Sequence, residues 1–336
     1  MKKIRVTVKD VAKAAGVSLM TVSRAINGQE GIGEDTRKRI LELAHQMNYQ
    51  PSQIARSLAT RQTNTLGLVV PDVSNPFFAH IARGAEDAAY KNGYSVFLVN
   101  SSENLQRERK ALDSLWQKEA YGVLLCSSRL PEAELIQYFD RFPLMVLVNR
   151  QLERPHPNVL TINVDDRLGA EIVVNHFINN GRTHLALIAG PETSQSAKKR
   201  KEGFLQSIEK NSSQLSQSQI VHCPPTVQGG MEAALQLLKE HSDVDAISAY
   251  NDLVAIGVLQ ACKQSQINVP QQIAVVGVDD IPLASLVHPT LSSLRVDQYK
   301  IGQMAVSYFF NHEESQTNLP ANITIEPQLI IRESSK

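Results

Sequence analysis

The spacing of hydrophobic positions changes near residue 65, and this change divides the chain into two kinds of structure. Before it, apolar residues recur every three or four positions in short segments, which is typical of small amphipathic helices. After it, short and nearly continuous apolar runs alternate with helix-length segments. Repeated strand–helix units of this kind predict parallel sheets that are covered by helices on both faces.

The first amphipathic segment, TVKDVAKAAGVSLMTVSRAIN (7–27), is predicted to form two short helices separated at Gly16. Thr7 and Asp10 have the spacing of a capping box for the first helix, and Ser18 is a suitable N-cap for the second. A helix pair of this shape places its second helix in the major groove of DNA. The segment therefore predicts a helix-turn-helix.

The rest of the N-terminal part is predicted to hold a third helix and a linker. The third helix extends from about Glu34 to Met47 and completes an all-α headpiece over residues 1–50. Pro51 ends that helix. Residues 51–65 form a linker whose short helix of two turns is marginal alone in water.

The larger part of the chain, 66–336, is predicted to be an α/β core. Its apolar strand-like runs lie at 66–70, 94–100, 121–126, 143–149, 184–190, 245–250 and 273–278. Two later runs, 291–296 and 323–333, are expected to complete the sheets. So many strand–helix units indicate two doubly wound parallel-sheet subdomains.

Subdomain boundaries follow from the placement of these strands. We place the first subdomain at about 66–163 plus 291–320, and the second at about 164–290 plus 321–336. The chain would then cross between the subdomains three times. Ligands of doubly wound sheets bind at the carboxyl ends of the strands, so a ligand site is expected in the crevice between the two halves.

Charge is distributed unevenly along a chain whose formal net charge is zero. Residues 1–61 contain 11 Lys and Arg against 5 Asp and Glu, so the remainder is acidic. A basic headpiece suits a polyanionic partner, because neutralisation of phosphates dominates the affinity of proteins for DNA. The charge pattern thus supports double-stranded DNA as the partner of the helix-turn-helix.

Several classes of protein are disfavoured by motifs that the sequence lacks. It has no apolar run near 18 residues, and its basic N-terminus has no secretory apolar region, so we expect a cytoplasmic, nucleoid-associated protein without a membrane partner. The three widely spaced cysteines fit buried free thiols, and no metal or cofactor is expected. P-loop, GxSxG and HExxH motifs are missing, which argues against an enzyme.

Several motifs together resemble those of the LacI/GalR family of bacterial transcriptional repressors over essentially the whole length. They are VKDVAKAAGVSLMTVSRAIN, NYQPSQIARSLAT, NPFF, AGPETSQSAKKRKEGF, AYNDLVAIGV and VVGVDDIPLAS. The resemblance implies a core like that of periplasmic binding proteins and a homodimer. It also implies a near-palindromic operator and a small-molecule effector. The chain end carries no apolar heptads, so we expect no coiled-coil tetramer.

The resemblance also suggests which residues contact DNA. Leu19, Met20 and Arg24 match the base-contacting positions of the family. Arg24 can donate two hydrogen bonds to a guanine, whereas Leu19 and Met20 would read thymine methyl groups or base shape. In the linker, Leu58 matches a leucine that wedges into the minor groove, and Ala55 allows two hinge helices to pack closely.

The remaining DNA-facing residues are expected to cap helices or contact phosphates, which positions the protein without reading bases. They are Thr7, Ser18, Thr21, Ser23 and Asn27.

By the same resemblance, an effector site is expected between the subdomains. Its predicted residues are Asp72, Asn75, Phe77, Phe78, Asn149, Arg150, Arg200, Asn251, Asp279 and Gln298. Carboxylates and amides suit sugar hydroxyls, and an aromatic face can stack on a sugar or base ring. Asn149 departs from relatives that carry an aspartate there.

These features predict a repressor of a carbohydrate-utilisation operon that a sugar-like effector controls allosterically. A purine- or nucleoside-responsive repressor of the same family is the alternative. The segment 224–226 has no Trp or Phe where some relatives place a ligand-stacking aromatic, which favours a sugar. A solute-binding protein is a more distant alternative. The sequence leaves open whether the effector releases DNA or promotes its binding.

Overall fold

The computed structural model describes residues 6–49, 63–213, 215, 218–314 and 321–336, and for 312–314 the backbone alone. The chain divides into two compact units, one ending at Thr63 and one beginning at Asn64. Each unit is described by itself below. No helix in the described ranges combines the length and the apolar character that crossing a bilayer requires.

Three helices form the headpiece: α1 (Val8–Ala15), α2 (Leu19–Ile26) and α3 (Glu34–Gln46). One apolar position of each helix, Val11, Val22 and Ile40, is completely buried at their common centre. Gly16 ends α1 with a φ of +65°, a left-handed conformation that glycine adopts without steric cost. The predicted turn between the two helices is confirmed.

Twelve strands of the described core form two six-stranded sheets. The first sheet holds β1 (Thr65–Val70), β2 (Ser95–Asn100), β3 (Gly122–Cys126), β4 (Met145–Val148), β5 (Val159–Val164) and β11 (Asn322–Ile325). The second holds β6 (Leu185–Ala189), β7 (Gln219–His222), β8 (Ala246–Ala249), β9 (Ala274–Asp279), β10 (Ser292–Arg295) and β12 (Gln328–Ile330). The spatial orders are β11–β5–β4–β3–β1–β2 and β12–β10–β9–β8–β6–β7. All pairings are parallel except that of β10 with β12.

Helices cover both faces of each sheet, as the strand–helix alternation predicts. They are α4 (Pro76–Lys91), α5 (Leu105–Gln117), α6 (Glu132–Phe139), α7 (Asp166–Asn179), α8 (Gln195–Lys210), α9 (Val227–Glu240), α10 (Asp252–Gln264) and α11 (Gln298–Glu314). Central strands such as β3 and β4 are buried at every position. This burial explains their unbroken apolar sequence.

Two glycines bring α4 and α11 into close contact across the first subdomain. A Cβ atom at Gly84 would lie 2.0 Å from the carbonyl oxygen of Tyr299, and one at Gly302 would lie 2.1 Å from that of Ile81. Any side chain at either glycine would therefore force the two helices apart.

The structure corrects the predicted placement of the late strands. The prediction that 291–320 belongs to the first subdomain is wrong for its first part, because β10 pairs in parallel with β9 and belongs to the second sheet. The chain crosses to the first subdomain only after Arg295, and α11, which begins at Gln298, packs on α4. An apolar strand fits either sheet equally well, so its sequence does not reveal which one it joins.

The predicted strand 323–333 is likewise two strands in two different sheets. β11 pairs with β5 in the first sheet, and β12 pairs with β10 in the second. Pro327 separates them, and proline has no N–H to donate to a continuous ladder. The three crossovers therefore lie after Val164, Arg295 and Ile325.

Candidate functional site

The outer face of α2 exposes the side chains that sequence reasoning assigned to base contacts. Leu19 is 44% exposed and Met20 is 65% exposed, whereas Val22 and Ala25 on the opposite face are buried. The Oγ of Ser18 accepts a hydrogen bond from the backbone N–H of Thr21 at 3.1 Å and so caps the helix. Packing of the headpiece therefore leaves Met20 largely available for another molecule.

Polar residues extend this exposed face of α2. Ser23, Arg24 and Asn27 are exposed and Thr21 is half-buried. The amide of Asn27 donates to the Oγ of Ser23 at 3.4 Å. The face thus presents one guanidinium, with its five N–H donors, beside the apolar side chains of Leu19 and Met20.

Thr7 fixes the start of α1. Its backbone N–H and its hydroxyl both donate to the carboxylate of Asp10, at 2.8 and 2.7 Å, and these bonds lower the pKa of Asp10. Thr7 is exposed. Its phosphate contact remains a prediction. Ala55 and Leu58, the predicted minor-groove contacts, lie outside the described residues.

A cavity of about 330 Å³ lies in the core between the two sheets. It is lined by residues that follow β1 and β4 in the first sheet and β8 in the second, and by the last residue of β9. Those of the predicted effector residues that line it are Asp72, Asn75, Phe77, Phe78, Asn149, Arg200, Asn251 and Asp279. We call this cavity the effector cleft.

Two asparagines in the cleft are held by helix capping. The side-chain oxygen of Asn75 accepts from the N–H of Phe77 at 3.0 Å, and that of Asn251 accepts from the N–H of Val254 at 2.9 Å. Each cap fixes the orientation of the amide and leaves its NH₂ group as the hydrogen-bond donor.

Phe77 and Phe78 serve as both core and cleft wall. Both are buried, and their rings meet edge to face with centroids 5.1 Å apart. Both belong to the hydrophobic core of the first subdomain and both line the cleft. Packing therefore explains much of their burial, while the exposed part of each ring supplies an apolar surface to a ligand.

Arg200 is held rigidly on the second-subdomain side of the cleft. Its Nε donates to Asp166 at 2.7 Å, its Nη1 donates to the carbonyl oxygen of Tyr250, and its guanidinium lies 5.1 Å from the centre of the Tyr250 ring. Burial alone would lower the pKa of Arg200, but the carboxylates of Asp166 and Asp279 outweigh it and raise the pKa. Arg200 is thus charged and oriented before any ligand arrives.

Asp279 is the buried acid of the cleft. Burial raises its pKa to about 7, with Arg200 acting in the opposite direction and Asp166 adding to the rise. Its φ of +109° is unusual for a residue with a side chain. A carboxyl group with this pKa changes its charge near neutral pH, so it can take part in ligand binding either as an acceptor or as a donor.

Two predicted effector residues do not line the cleft. Gln298 is buried behind it, where its amide donates to the backbone carbonyl of Asp279. Arg150 donates to the carbonyl of Leu130 at 2.9 Å and lines a separate groove. Asn149 lines the cleft and has a φ of +54°, whereas Arg150, the next residue, lines that groove instead.

Sequence reasoning missed an ion pair that forms one wall of the cleft. Arg129 donates through Nε and Nη2 to the two carboxylate oxygens of Glu103, at 2.7 and 3.1 Å. The two residues lie 26 positions apart along the chain, after β2 and β3. Their position at the carboxyl ends of two strands is the signal that could have found them.

Further polar residues of the cleft were also missed. They are Ser102, Ser127, Ser196, Thr226 and Tyr250. The hydroxyl groups of Tyr250 and Ser194 lie 3.1 Å apart.

Left-handed backbone conformations are concentrated around the cleft. Ser102, Glu103, Ser127, Asn149 and Asp279 all have positive φ angles and all line it. Such conformations cost free energy for residues with side chains, and they persist at sites where function depends on the geometry.

Comparison with known proteins matches both parts of the chain to one family. Residues 7–52 match the model "Bacterial regulatory proteins, lacI family", and residues 63–333 match "Periplasmic binding proteins and sugar binding domain of LacI family". The ribose operon repressor of Halalkalibacterium halodurans is 33% identical over 330 residues, which cover 98% of this chain and 97% of that protein.

Solved structures agree in fold. A complex of the transcriptional regulator CelR with cellobiose is 26% identical, with a TM-score of 0.73 and coverage of 98% of this chain and 100% of that one. The Lac repressor dimer bound to operator has a TM-score of 0.87 at 24% identity, with 99% of both chains covered. The chain therefore belongs to the LacI family of bacterial regulatory proteins, with a helix-turn-helix DNA-binding domain followed by a core of the sugar-binding type.

Proposed function

We propose that the protein is a homodimeric transcriptional repressor of a carbohydrate-utilisation operon, and that a monosaccharide bound in the effector cleft controls its affinity for operator DNA. The observation that carries this proposal is the effector cleft, whose polar walls come from both subdomains. A ligand there contacts two bodies between which the chain passes at three crossover segments. It can therefore change their relative arrangement through its differential affinity for the two states.

The charges of the cleft favour a neutral, hydroxyl-rich effector. Arg129 is paired with Glu103, and Arg200 with Asp166, so the two guanidinium groups are already compensated. Paired Arg and carboxylate groups still have hydrogen-bonding capacity for hydroxyl groups. A strongly anionic ligand would require a cationic group without a carboxylate partner, and neither guanidinium is in that state.

The size and walls of the cleft favour a single sugar ring. Its volume of about 330 Å³ is at the small end of the range of roughly 300–1,000 Å³ for ligand pockets. Phe77, Phe78 and Tyr250 offer apolar surface, and Pro224 and Pro225 line the cleft at the segment where some relatives place a ligand-stacking aromatic. D-ribose is the first candidate, because a relative that covers nearly the whole chain is named a ribose operon repressor. A purine or nucleoside is the alternative.

In the proposed complex, α2 enters the major groove of each operator half-site. Arg24 donates to a guanine, while Leu19 and Met20 contact thymine methyl groups. Contacts with phosphates come from Thr7, Ser18, Thr21, Ser23 and Asn27. Ala55 and Leu58 of the linker would act at the centre of a near-palindromic site.

The free edge of the first sheet supports the proposed homodimer. β2 lies at the end of that sheet and pairs only with β1 in the described residues. Phe97 and Leu98 on this edge are 45% and 42% exposed. Exposed apolar edge strands are usually covered by a partner.

We infer that the protein acts in the cytoplasm, where operator DNA is present, and that it binds its effector without chemical turnover.

Thermal unfolding of the full chain against a panel of sugars and nucleosides tests the effector assignment. A ligand that binds the folded protein raises the unfolding temperature as its concentration exceeds its Kd. We expect a monosaccharide to do so in the wild-type protein but not in Asp72→Ala, in which a cleft side chain is removed. Stabilisation by a nucleoside alone would favour the purine-responsive alternative, and an equal response of Asp72→Ala would contradict the site.

A further inference from the structure

A second, open groove of about 640 Å³ lies beside the effector cleft, and Arg129 is the wall that the two share. The segments 129–132 and 150–153 supply its first-subdomain side. Thr193, Gln195, Lys198 and Lys199, at the start of α8, supply its second-subdomain side. We call it the flanking groove. Like the cleft, it is built from both subdomains.

Arg150 is the most unusual residue of the flanking groove. It is only 7% exposed, its Nη2 donates to the carbonyl of Leu130, and its buried Nε has no partner among the described residues. A guanidinium has five N–H donors, and leaving buried donors unsatisfied costs free energy. Burial lowers the pKa of Arg150. This arrangement leaves hydrogen-bonding capacity for an acceptor that the described chain does not provide.

Neither of the two carboxylates close enough to influence Arg150 bonds to it. Glu108 accepts hydrogen bonds from the hydroxyl of Ser128 and the N–H of Arg129. Glu132 accepts from the N–H of Glu153 through both oxygens, at 2.9 and 3.2 Å. Both are thus occupied by other donors, although Glu132 and Glu153 also line the groove and reduce its positive charge.

The second-subdomain side of the groove adds two ammonium groups and a helix N-terminus. Lys198 is exposed, and Lys199 is half-buried with its Nζ donating to Gln151 at 2.8 Å. Burial lowers the pKa of Lys199. The first turn of α8, a helix of 16 residues, lies at the same place, and helix N-termini favour negative charge.

Direct hydrogen bonds already join the two sides of the groove. The N–H of Gln151 donates to the side chain of Gln195 at 2.8 Å, and the amide of Gln195 donates back to the carbonyl of Gln151 at 3.2 Å. A ligand held by both sides would therefore reinforce this arrangement of the subdomains.

We propose that the flanking groove is a second ligand site, which binds a small oxyanion between Arg150 of the first subdomain and Lys198 and Lys199 of the second. The oxyanion is the carboxylate or phosphate group of a metabolite. Binding at this site does not depend on the identity of the effector. Oxyanion binding would favour the subdomain arrangement in which Gln151 and Gln195 are hydrogen-bonded. That this arrangement affects DNA binding rests on the proposed regulatory function.

The test compares sodium phosphate, sodium acetate and sodium chloride at equal ionic strength, with the full chain. We expect a saturable rise in unfolding temperature with phosphate or acetate and none with chloride. A response to phosphate alone identifies a phosphate group, and a response to acetate identifies a carboxylate. Hydrogen exchange should slow in segments 150–153 and 193–199 when the oxyanion is bound. The absence of a saturable response to both oxyanions would overturn the proposal.

Variants of the two lysines locate the response without replacing the buried Arg150. The double variant Lys198→Gln/Lys199→Gln should raise the oxyanion Kd roughly tenfold or more, because charge-assisted hydrogen bonds are lost. Lys210→Gln is the matched control, since Lys210 lies on the same helix but pairs with Glu171. An unchanged Kd in the double variant would overturn the site. Asp72→Ala should retain the oxyanion response, so failure of the sugar assignment is distinguishable from failure of this proposal.

Discussion

The Asp166 carboxylate and the Arg200 guanidinium form a 2.7 Å ion pair at the second-subdomain side of the effector cleft. Asp166 is the first residue of α7, directly after the crossover that follows Val164. Arg200 lines the cleft from α8. A ligand that contacts Arg200 is therefore connected, through the ion pair with Asp166, to a segment that joins the subdomains. This connection is a direct structural route for the proposed coupling between effector binding and subdomain arrangement.

Arg200→Ala should weaken effector binding by about 10- to 100-fold, the loss expected for a hydrogen bond to a charged group. The measurement is a calorimetric titration with the sugar identified by thermal screening. Arg167→Ala is the control. Arg167 forms an exposed ion pair with Glu202, and such pairs contribute about 1 kcal/mol or less. Equal losses in the two variants would contradict a direct role for Arg200.

Effector affinity should increase with pH because of Asp279. We expect its ionised carboxylate to accept hydrogen bonds from sugar hydroxyl groups. With a pKa of about 7 in the empty cleft, the ionised fraction rises about tenfold from about pH 6 to about pH 8. Titrations across this range should therefore show affinity rising by up to about tenfold, with release of a proton on binding. An affinity that falls with pH would show that the protonated acid is the form that binds.

Asp279→Asn provides the control for this pH dependence, since an amide does not titrate. It should also change the stability of the unliganded protein. The folded-state pKa of Asp279 is raised above its unfolded value, so its stabilising contribution is present below about pH 4 and is lost as the pH rises towards about 7. The wild-type protein should lose more stability than Asp279→Asn across that window in calorimetric scans.

Met20→Ala should lower operator affinity while leaving the stability of the headpiece nearly unchanged, because the side chain is 65% exposed. The effect should concentrate on operators with thymine at one position of each half-site. Leu41→Ala is the matched control, since Leu41 is also an exposed apolar residue, at 44%, but lies on α3. Binding titrations at fixed salt measure both variants. A loss that is uniform across operator sequences would argue against base reading by Met20.

Asp252 should be a determinant of stability and not a ligand contact. It is completely buried on α10, and it accepts hydrogen bonds from the hydroxyl of Ser293 at 2.6 Å and the N–H of Ile281 at 2.8 Å. Burial raises its pKa well above the usual range, with Asp279 adding to the rise. Asp252→Ala should cost about 3 kcal/mol by leaving both donors unsatisfied, whereas Asp252→Asn should cost about 1 kcal/mol or less. Calorimetry compares the two, and equal losses would contradict this account.

Local sequence patterns predicted the helices and strands better than they predicted which sheet each strand joins. The apolar run at 184–190 and the capping pair Thr7 and Asp10 specify structure within a few residues, and both predictions agree with the structure. The sheet that β10 joins depends on contacts with β9, which no local pattern encodes. The same limit applies to strand 323–333, although its Pro327 was a visible signal for the break.

The predicted cleft residues show a similar division. Family motifs led to Arg200 and Asp279, which line the cleft, but also to Arg150, which faces the flanking groove. The family resemblance implied that Arg150 would line the same cleft as Arg200 and Asp279, and the structure places it in the groove beside that cleft. The pair Glu103 and Arg129 was not predicted because its two residues meet only through the side-by-side packing of strand ends.

The central claim is that occupancy of the effector cleft changes the affinity of the headpiece for DNA. The most direct test selects an operator from random DNA with the full-length protein and then measures its binding by fluorescence anisotropy at fixed salt. We predict that sugar, at a concentration that saturates the wild-type protein but not Arg200→Ala, changes operator affinity by about 5- to 150-fold in the wild-type protein and much less in the variant. An unchanged operator affinity when the sugar is bound, or an equal change in Arg200→Ala at the same sugar concentration, would contradict the account.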